Sequence, residues 1–572
     1  MCLRIKRGSD SRLERYRAGA QLRPWKQRAT PLAAQGTGDE MKTATQTDQM
    51  PAGIPFIVAN EFAERFCFYG INAILSLYLT SYLHFGDAHA NVWQSLFKMG
   101  AYCSPLIGAV VADVFWGKFR TIMVFSLLYS AGCAVVALGA ASTTTLALGL
   151  GLVALGTGGI KPCVSTNVGD QFTSRNQHLI ERAFSYFYFS INAGSSISIW
   201  FCPILLKNGH PQLAFGMPAA MMLVATLVFW LGRKRFVVVP PAGRQWLRDI
   251  GSPEGLRLIG RLSLIYVFVA VFWALWDQSN GQAWTLQATS DLMDKNLGFG
   301  LTLLAGQIQI VNGLLILLMI PLFTYGIYPL VNRFFTLTPL RKIGSGFFIA
   351  AASFLIVSWV EARIQSGQRV SAWWQILAYV VLSASEVLVS ITCLEFSYKQ
   401  APLRMKSFIM ALYLLSISVG NGMTATVNGL MVRDLPGTTV STGAETWATL
   451  PPGTAVIVGQ KIDFTGKHGV SIVVPGSEPE PLEGTFLVSA IDGNRVRLMD
   501  NDHRKNIATS GTWHSDGEVG AVSTYKLVGP QYYNFFAALM GGFALLFILV
   551  AIAYRGADHV RSEPSGAAHE PA

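Results

Sequence analysis

Apolar stretches of about 20 residues, separated by short polar loops, recur along most of the chain, and a helix needs that length to cross the hydrocarbon of a bilayer. Twelve spans are expected, near residues 54–83, 91–114, 119–141, 145–168, 182–206, 212–232, 260–279, 302–325, 343–363, 372–397, 406–432 and 530–554. A basic loop over 233–259, containing Pro240 and Pro241, divides them six and six. Between spans 11 and 12 the pattern changes. Residues 434–528 carry strand-like runs, TAVIVG, VSIVV, GTFLVSAI and RVRLMD, and Asp492-Gly493 is a hairpin signal between the last two. The expected fold is an all-α polytopic membrane protein of two six-helix bundles (51–232, and 260–433 with 529–555), with a small extramembrane β domain at 434–528. The polar, basic residues 1–50 contain no apolar h-region, so they read as a disordered tail rather than a secretory signal, with Met41 and Met50 as candidate starts. Residues 556–572 read as a second tail.

Composition agrees. The 572 residues are 51% hydrophobic and only 13% charged, with mean hydropathy +0.39, whereas soluble proteins carry about 25% charged residues. A net charge of +11 on a soluble protein would suggest nucleic acid. Here seventeen Lys and Arg lie in the loops after spans 2, 4, 6, 8 and 10, against four in the short loops of the opposite side. That asymmetry reads as orientation, with both termini cytoplasmic and the β insert periplasmic or extracellular. The membrane is then a plasma membrane, the inner one in a bacterium. None of the seven cysteines lies in the insert, so no disulfide framework is expected. No metal-ligand cluster and no catalytic constellation is visible, so the chain does not read as an enzyme, and the insert reads as a folded spacer or accessory module. Gly-rich runs such as GLGLVALG suit close helix packing rather than a nucleotide loop, and Phe and Trp read mostly as lipid-facing or interfacial.

The charges inside the spans change the picture most. Glu61, Glu64, Arg65, Phe68, Tyr69 and Asn72 recur at helical spacing on one face of span 1. Such a face must line a cavity rather than meet lipid, and intramembrane ionisable groups mark transport pathways. Lys98 in span 2, Lys161 in span 4, Asp277 in span 7 and Glu386 in span 10 add to it. A cavity holding cations and carboxylates suits a zwitterion, and carboxylates that change partners can exchange protons.

Six segments carry a family resemblance: EFAERFCFYG (61–70), GAVVADVFWGKFRT (108–121), GTGGIKPCVSTNVGDQF (156–172), FYFSINAGS (187–195), FWALWDQ (272–278) and EVLVSITCLEFSYKQAP (386–402). In this order they resemble the motifs of proton-coupled oligopeptide transporters, members of the major facilitator superfamily, over the transmembrane chain but not the insert. The resemblance implies import of di- and tripeptides with protons as the coupling ion and no other cofactor. Arg65 and Lys161 would face the peptide carboxylate, and Glu386 the peptide ammonium, helped by Asn192 and Asn312. Glu61 would pair with Lys161, and Glu64 would join it in the proton-linked cluster with the span-7 acid, Asp277. Tyr69, Tyr102 and Trp273 would line the cavity. A same-family importer of another small solute, such as nitrate or a modified amino acid, is the alternative. A third reading, from another class, is a receptor or assembly protein whose β insert binds a partner.

Three departures from the family pattern stand out. Phe68 replaces a Tyr, Asn72 an Arg that would pair with Asp277, and Ser95 a His. Lys98, one turn beyond Ser95, is expected to serve as the charge partner of Asp277 or another cavity carboxylate.

Overall fold

The computed structural model describes residues 49–554, apart from 140–141, 174–175, 177–178, 242, 244–247, 249, 299, 401–405, 467–468, 474–478, 501–504 and 514–519. The two expected tails therefore lie outside the described residues, except for Gln49 and Met50.

Among the described residues, eleven helices are long and apolar enough to cross a membrane. Span 1, Ile54–Ser81, is the twelfth, and its charged face lowers its hydropathy below theirs. The others begin at Asp87, Lys118, Thr143, Ile180, Pro211, Pro253, Ile310, Pro339, Trp373, Lys406 and Pro530. Four start on proline, whose fixed φ and missing N–H suit the first turn. Ser252 and Thr338 cap spans 7 and 9 by accepting the backbone N–H of Gly255 and Arg341 at 3.1 and 3.3 Å.

Spans 1–6 and spans 7–12 enclose two separate apolar cores. The second contains Phe272, Trp273, Trp276, Trp284, Phe347, Phe354 and Phe536, all buried, so the reading of Phe and Trp as mostly lipid-facing fails for this bundle. Close helix crossings use small residues as expected: a Cβ on Gly108 of span 2 would lie 2.2 Å from the Gly158 carbonyl oxygen of span 4.

Several spans are not continuous α-helix. Span 7 ends at Trp276 and continues as a 3₁₀ turn, Asp277–Ser279, then a short helix, Ala283–Gln287. Gly281 makes the turn between them, with φ +74° and no room for a side chain, since a Cβ there would sit 2.1 Å from the Asn72 carbonyl oxygen. Span 10 has a π-helical stretch, Val387–Ile391, immediately after Glu386. Such bulges re-aim side chains and recur at functional sites.

Two short strands, β1 (Met293–Asp294) and β2 (Val370–Ser371), pair in parallel and tie the segment after span 7 to the segment before span 10. The insert holds β3 (Val432–Asp434), β4 (Thr439–Ser441), β5 (Trp447–Thr449), β6 (Lys461–Gly466), β7 (Val470–Ile472), β8 (Glu480–Pro481), β9 (Gly484–Asp492), β10 (Arg495–Asp500), β11 (Thr509–Gly511) and β12 (Gly520–Tyr525). An antiparallel sheet in the order β3-β12-β6-β9-β10-β5-β4 and a smaller one, β11-β7-β8, form it. Asp492-Gly493 does turn the chain between β9 and β10, with Gly493 at φ +61°. TAVIVG (454–459) forms no strand. Proline and glycine flank it, and Ile457 and Val458 are exposed.

Candidate functional site

The charged face of span 1 is buried, as its position in a membrane requires. Arg65 Nε lies 2.9 Å from the Glu61 carboxylate and 2.6 Å from that of Glu64. Two carboxylates thus share one guanidinium, Glu61 from one turn back at i,i+4 spacing and Glu64 from the adjacent position.

Lys161 stands apart from the carboxylates. Its ammonium lies 4.0 Å from the centroid of the Phe68 ring and 3.9 Å from that of Tyr102, and among the described residues it has no hydrogen-bond partner. The expected Glu61–Lys161 pair is therefore replaced by Glu61–Arg65. Phe68, the departure from the motif, packs edge-on to Tyr69 and Tyr102 and stacks on Phe97. A ring face attracts a cation but leaves its N–H donors unspent. Lys161 is thus held in position with its hydrogen bonds still available.

Glu386 is placed by the other bundle. Its Oε2 accepts the Trp276 indole N–H at 2.7 Å and the Asn312 amide at 2.9 Å, while Asn312 also donates to Ser383 Oγ at 2.9 Å. Nothing in an apolar span marked Trp276 as a partner. The only sequence signal was its place in the FWALWDQ segment. Trp273 packs edge-on to Trp276 at 5.1 Å, and its own indole N–H is buried without a partner among the described residues. Asn192 donates to the Tyr188 carbonyl one turn back in span 5 at 2.8 Å, and not to Glu386.

Asp277 does find a cation. Lys98, 1% exposed, reaches its carboxylate at 3.2 Å and also donates to the Asp277 and Asn280 carbonyls at 3.0 and 2.7 Å. The Asn421 amide donates to the other carboxylate oxygen. Lys98 therefore fills the place that Asn72 leaves vacant, and it does not extend toward a membrane surface. Asn72 itself donates to the Asn280 carbonyl at 3.2 Å, Ser76 to Gly281 at 2.5 Å, and Ser95 to Gln282 at 3.3 Å. These bonds join span 1 and span 2 to the broken end of span 7. The bundles are closed on each other at the end that carries the β insert.

The site thus has three parts: a span 1–span 4 cluster with an unspent cation, a carboxylate on span 10, and a buried ion pair that ties the bundles together. Cations on one bundle and a carboxylate on the other can bind the two ends of a zwitterion and so sense how far apart the bundles are.

Several known proteins resemble this chain in sequence and fold. The family model described as the POT family matches residues 119–252 and 242–447. Solute carrier family 15 member 2 of Danio rerio is 39% identical over 364 residues, covering 55% of this chain and 50% of that protein. Peptide transporter family 1 of Drosophila melanogaster is 39% identical over 361 residues, covering 55% and 48%. The chain spans about half the length of the curated relatives it matches. Among solved structures, the POT family transporter PepTSo superposes with a TM-score of 0.62 at 34% identity, covering 66% of this chain and 90% of that one. An auto inhibited POT family peptide transporter superposes at 0.66 and 28% identity, covering 90% and 99%. The fold is that of the major facilitator superfamily, and these relatives are named as transporters, not enzymes. This multi-pass membrane protein belongs to the POT family.

Proposed function

We propose that the protein is a proton-coupled symporter that imports di- and tripeptides across a plasma membrane by alternating access. The observation that carries this reading is the division of charge between the bundles. Lys161, with its donors unspent, and Arg65 lie on one side, and Glu386 lies on the other. A peptide carboxylate would complete Lys161, and a peptide ammonium would meet Glu386 beside Asn312 and Trp276. Fixing both termini limits length, because each added residue lengthens an extended chain by about 3.3–3.6 Å. An inorganic anion such as nitrate would bring no cation to Glu386, which favours peptides over that alternative.

Protons enter through the carboxylates. Glu61 and Glu64 compete for one guanidinium, so a peptide carboxylate drawing on Arg65 would leave one of them to take up a proton. Protonating Asp277 would weaken its hold on Lys98 and free the end where spans 1, 2 and 7 meet. With both termini cytoplasmic, that end and the β insert face outward, and the arrangement described is the outward-closed one.

Uptake of labelled Ala-Ala into proteoliposomes under an inward proton gradient tests the function. Glu386→Gln should lose most uptake of peptides with a free N-terminus and little of what remains for N-acetylated ones. Equal loss for both would remove Glu386 from ammonium recognition. Competition by nitrate but not by tripeptides would replace the peptide reading.

A further inference from the structure

The β insert is joined to the chain only through spans 11 and 12, so covalently it belongs to the second bundle. Its apolar core, around Phe464, Val488, Val496 and Leu498, is built from insert residues alone. Yet polar residues of β6 and β12 grip the first bundle. Lys461 in β6 forms an ion pair with Asp87, the first residue of span 2, both side chains being about three-quarters buried at 28% and 20% exposure. Asp463 lies two residues on, on the same face of the strand, and accepts the hydroxyls of Tyr525 and Thr485. The Tyr525 hydroxyl in turn accepts the Ala88 backbone N–H at 3.3 Å, one of the donors that the start of a helix leaves unpaired. The approach is close. A Cβ on Gly86 would collide with the Asp463 carboxylate, and His84 adopts φ +53°, which is rare for a residue other than glycine.

This contact is polar and incompletely filled. A cavity of about 120 Å³ lies beside it, lined from both bundles and the insert by Asp87, Asn91, Glu361, Lys461, Tyr525 and Tyr532. Asn91 is 5% exposed, and its side-chain oxygen has no partner among the described residues. An interface of this kind separates at low cost, unlike a dry apolar core.

We propose that the β insert is an outer latch: it travels with the second bundle and holds the first through the Lys461–Asp87 clasp, so the outer seam opens only when that clasp releases. Lys461 and Asp87 are then positioning residues for the conformational change. They lie apart from the peptide site and from the Lys98–Asp277 pair. The inference rests on the alternating-access reading, and it gives the insert a part in transport that a spacer would not have.

Two arms test it in a background with Cys2 and Cys103 replaced by Ser. In the first, Ser76→Cys, buried in the seam, reports opening through its rate of reaction with a membrane-impermeant maleimide. Asp87→Lys and Lys461→Asp should each speed labelling about fivefold, as expected for loss of a partly buried ion pair, and the double swap should bring it back. Unchanged labelling in both single variants would overturn the latch. In the second arm, Asp87→Cys and Lys461→Cys are joined by a short reducible bis-thiosulfonate. Cross-linking should abolish uptake and seam labelling, and a reductant should restore both. A cross-linked protein that transports or labels at the unmodified rate would overturn it equally. Labelling needs no substrate, so failure of the unmodified protein to take up peptide would count against the proposed function and leave the latch to be judged on seam labelling.

Discussion

Removing the Lys98 ammonium should spring the outer seam. Its carboxylate partner is 2% exposed at a separation of 3.2 Å. With an effective dielectric near 20, that separation corresponds to about 5 kcal/mol of attraction. Deleting one member of a buried pair costs about 3–5 kcal/mol, because the other charge stays desolvated. The cost applies only where the pair is dry. Once the bundles part at this end, both groups meet water and the Asp277 carboxylate needs no ammonium. Lys98→Met should therefore shift the equilibrium from closed toward open at this end by roughly 10²–10⁴-fold. Asp277→Asn should shift it less, since Lys98 keeps the carbonyls of Asp277 and Asn280. The double variant should lie nearer the unaltered protein than Lys98→Met does, because nothing charged then remains buried. Spin labels at Lys207→Cys and Gln368→Cys, exposed positions on opposite bundles at this end, read the separation by pulsed electron resonance. Uptake should fall with the shift, since a carrier held open cannot return. An unchanged distance distribution in Lys98→Met, or effects of the single variants that simply add in the double, would refute the pairing as a gate.

Three further outcomes follow from particular contacts. Lys161→Met should leave thermal stability unchanged or raise it, because the ammonium is buried on two rings without a hydrogen bond, while KM for peptides with a free C-terminus rises about tenfold or more and that for C-amidated ones hardly moves. Gly281→Ala places a Cβ against the Asn72 carbonyl at a positive φ, and should open the same seam in the spin-label assay without touching a charge. In the insert, burial pushes Asp463 up to about 7, with the Tyr525 and Thr485 hydrogen bonds opposing and Asp87 reinforcing the shift. The folded insert then holds that proton more tightly than the unfolded chain, so stability is full below about pH 4 and falls by up to roughly 4 kcal/mol as pH rises through 7. Hydrogen exchange across β6 and β12 should show this slope in the unaltered protein, and Asp463→Asn should flatten it.

How much of this was legible in the sequence depended on contrast with the apolar background. A charge in hydrocarbon stands out, so Glu61, Glu64, Arg65, Lys98, Lys161, Asp277 and Glu386 could all be picked out as groups in need of partners. The choice among partners was much less visible. Lys98 was assignable to Asp277 because Asn72 and Ser95 departed from the pattern together and left a vacancy one turn away. Glu61 offered two cations, and the sequence could not weigh the one on its own helix against Lys161 across a helix crossing. Trp276 and Asn421 were missed because indoles and amides are common in spans, and whether one reaches a carboxylate depends on helix rotation. Phe and Trp misled for a related reason. Lipid and core are equally apolar, so in a membrane helix the apolar residues do not declare which face is buried.

The insert marks the opposite limit. Three of its strands, β7, β9 and β10, could be read from alternation and turn residues, since those are local signals, whereas the similar run at 454–459 forms none. Its grip on span 2 joins residues 374 positions apart, through Lys461 and Asp87, each unremarkable in a polar segment where charges cost little. Charged residues in polar segments are ordinarily solvated, so a spacer was the natural reading. Only the fold shows that this pair bridges two bodies that must separate if the transporter alternates. A local pattern can thus identify a module. Whether the module takes part in the mechanism depends on which moving bodies it touches, and here the covalent joints fall on one bundle and the clasp on the other.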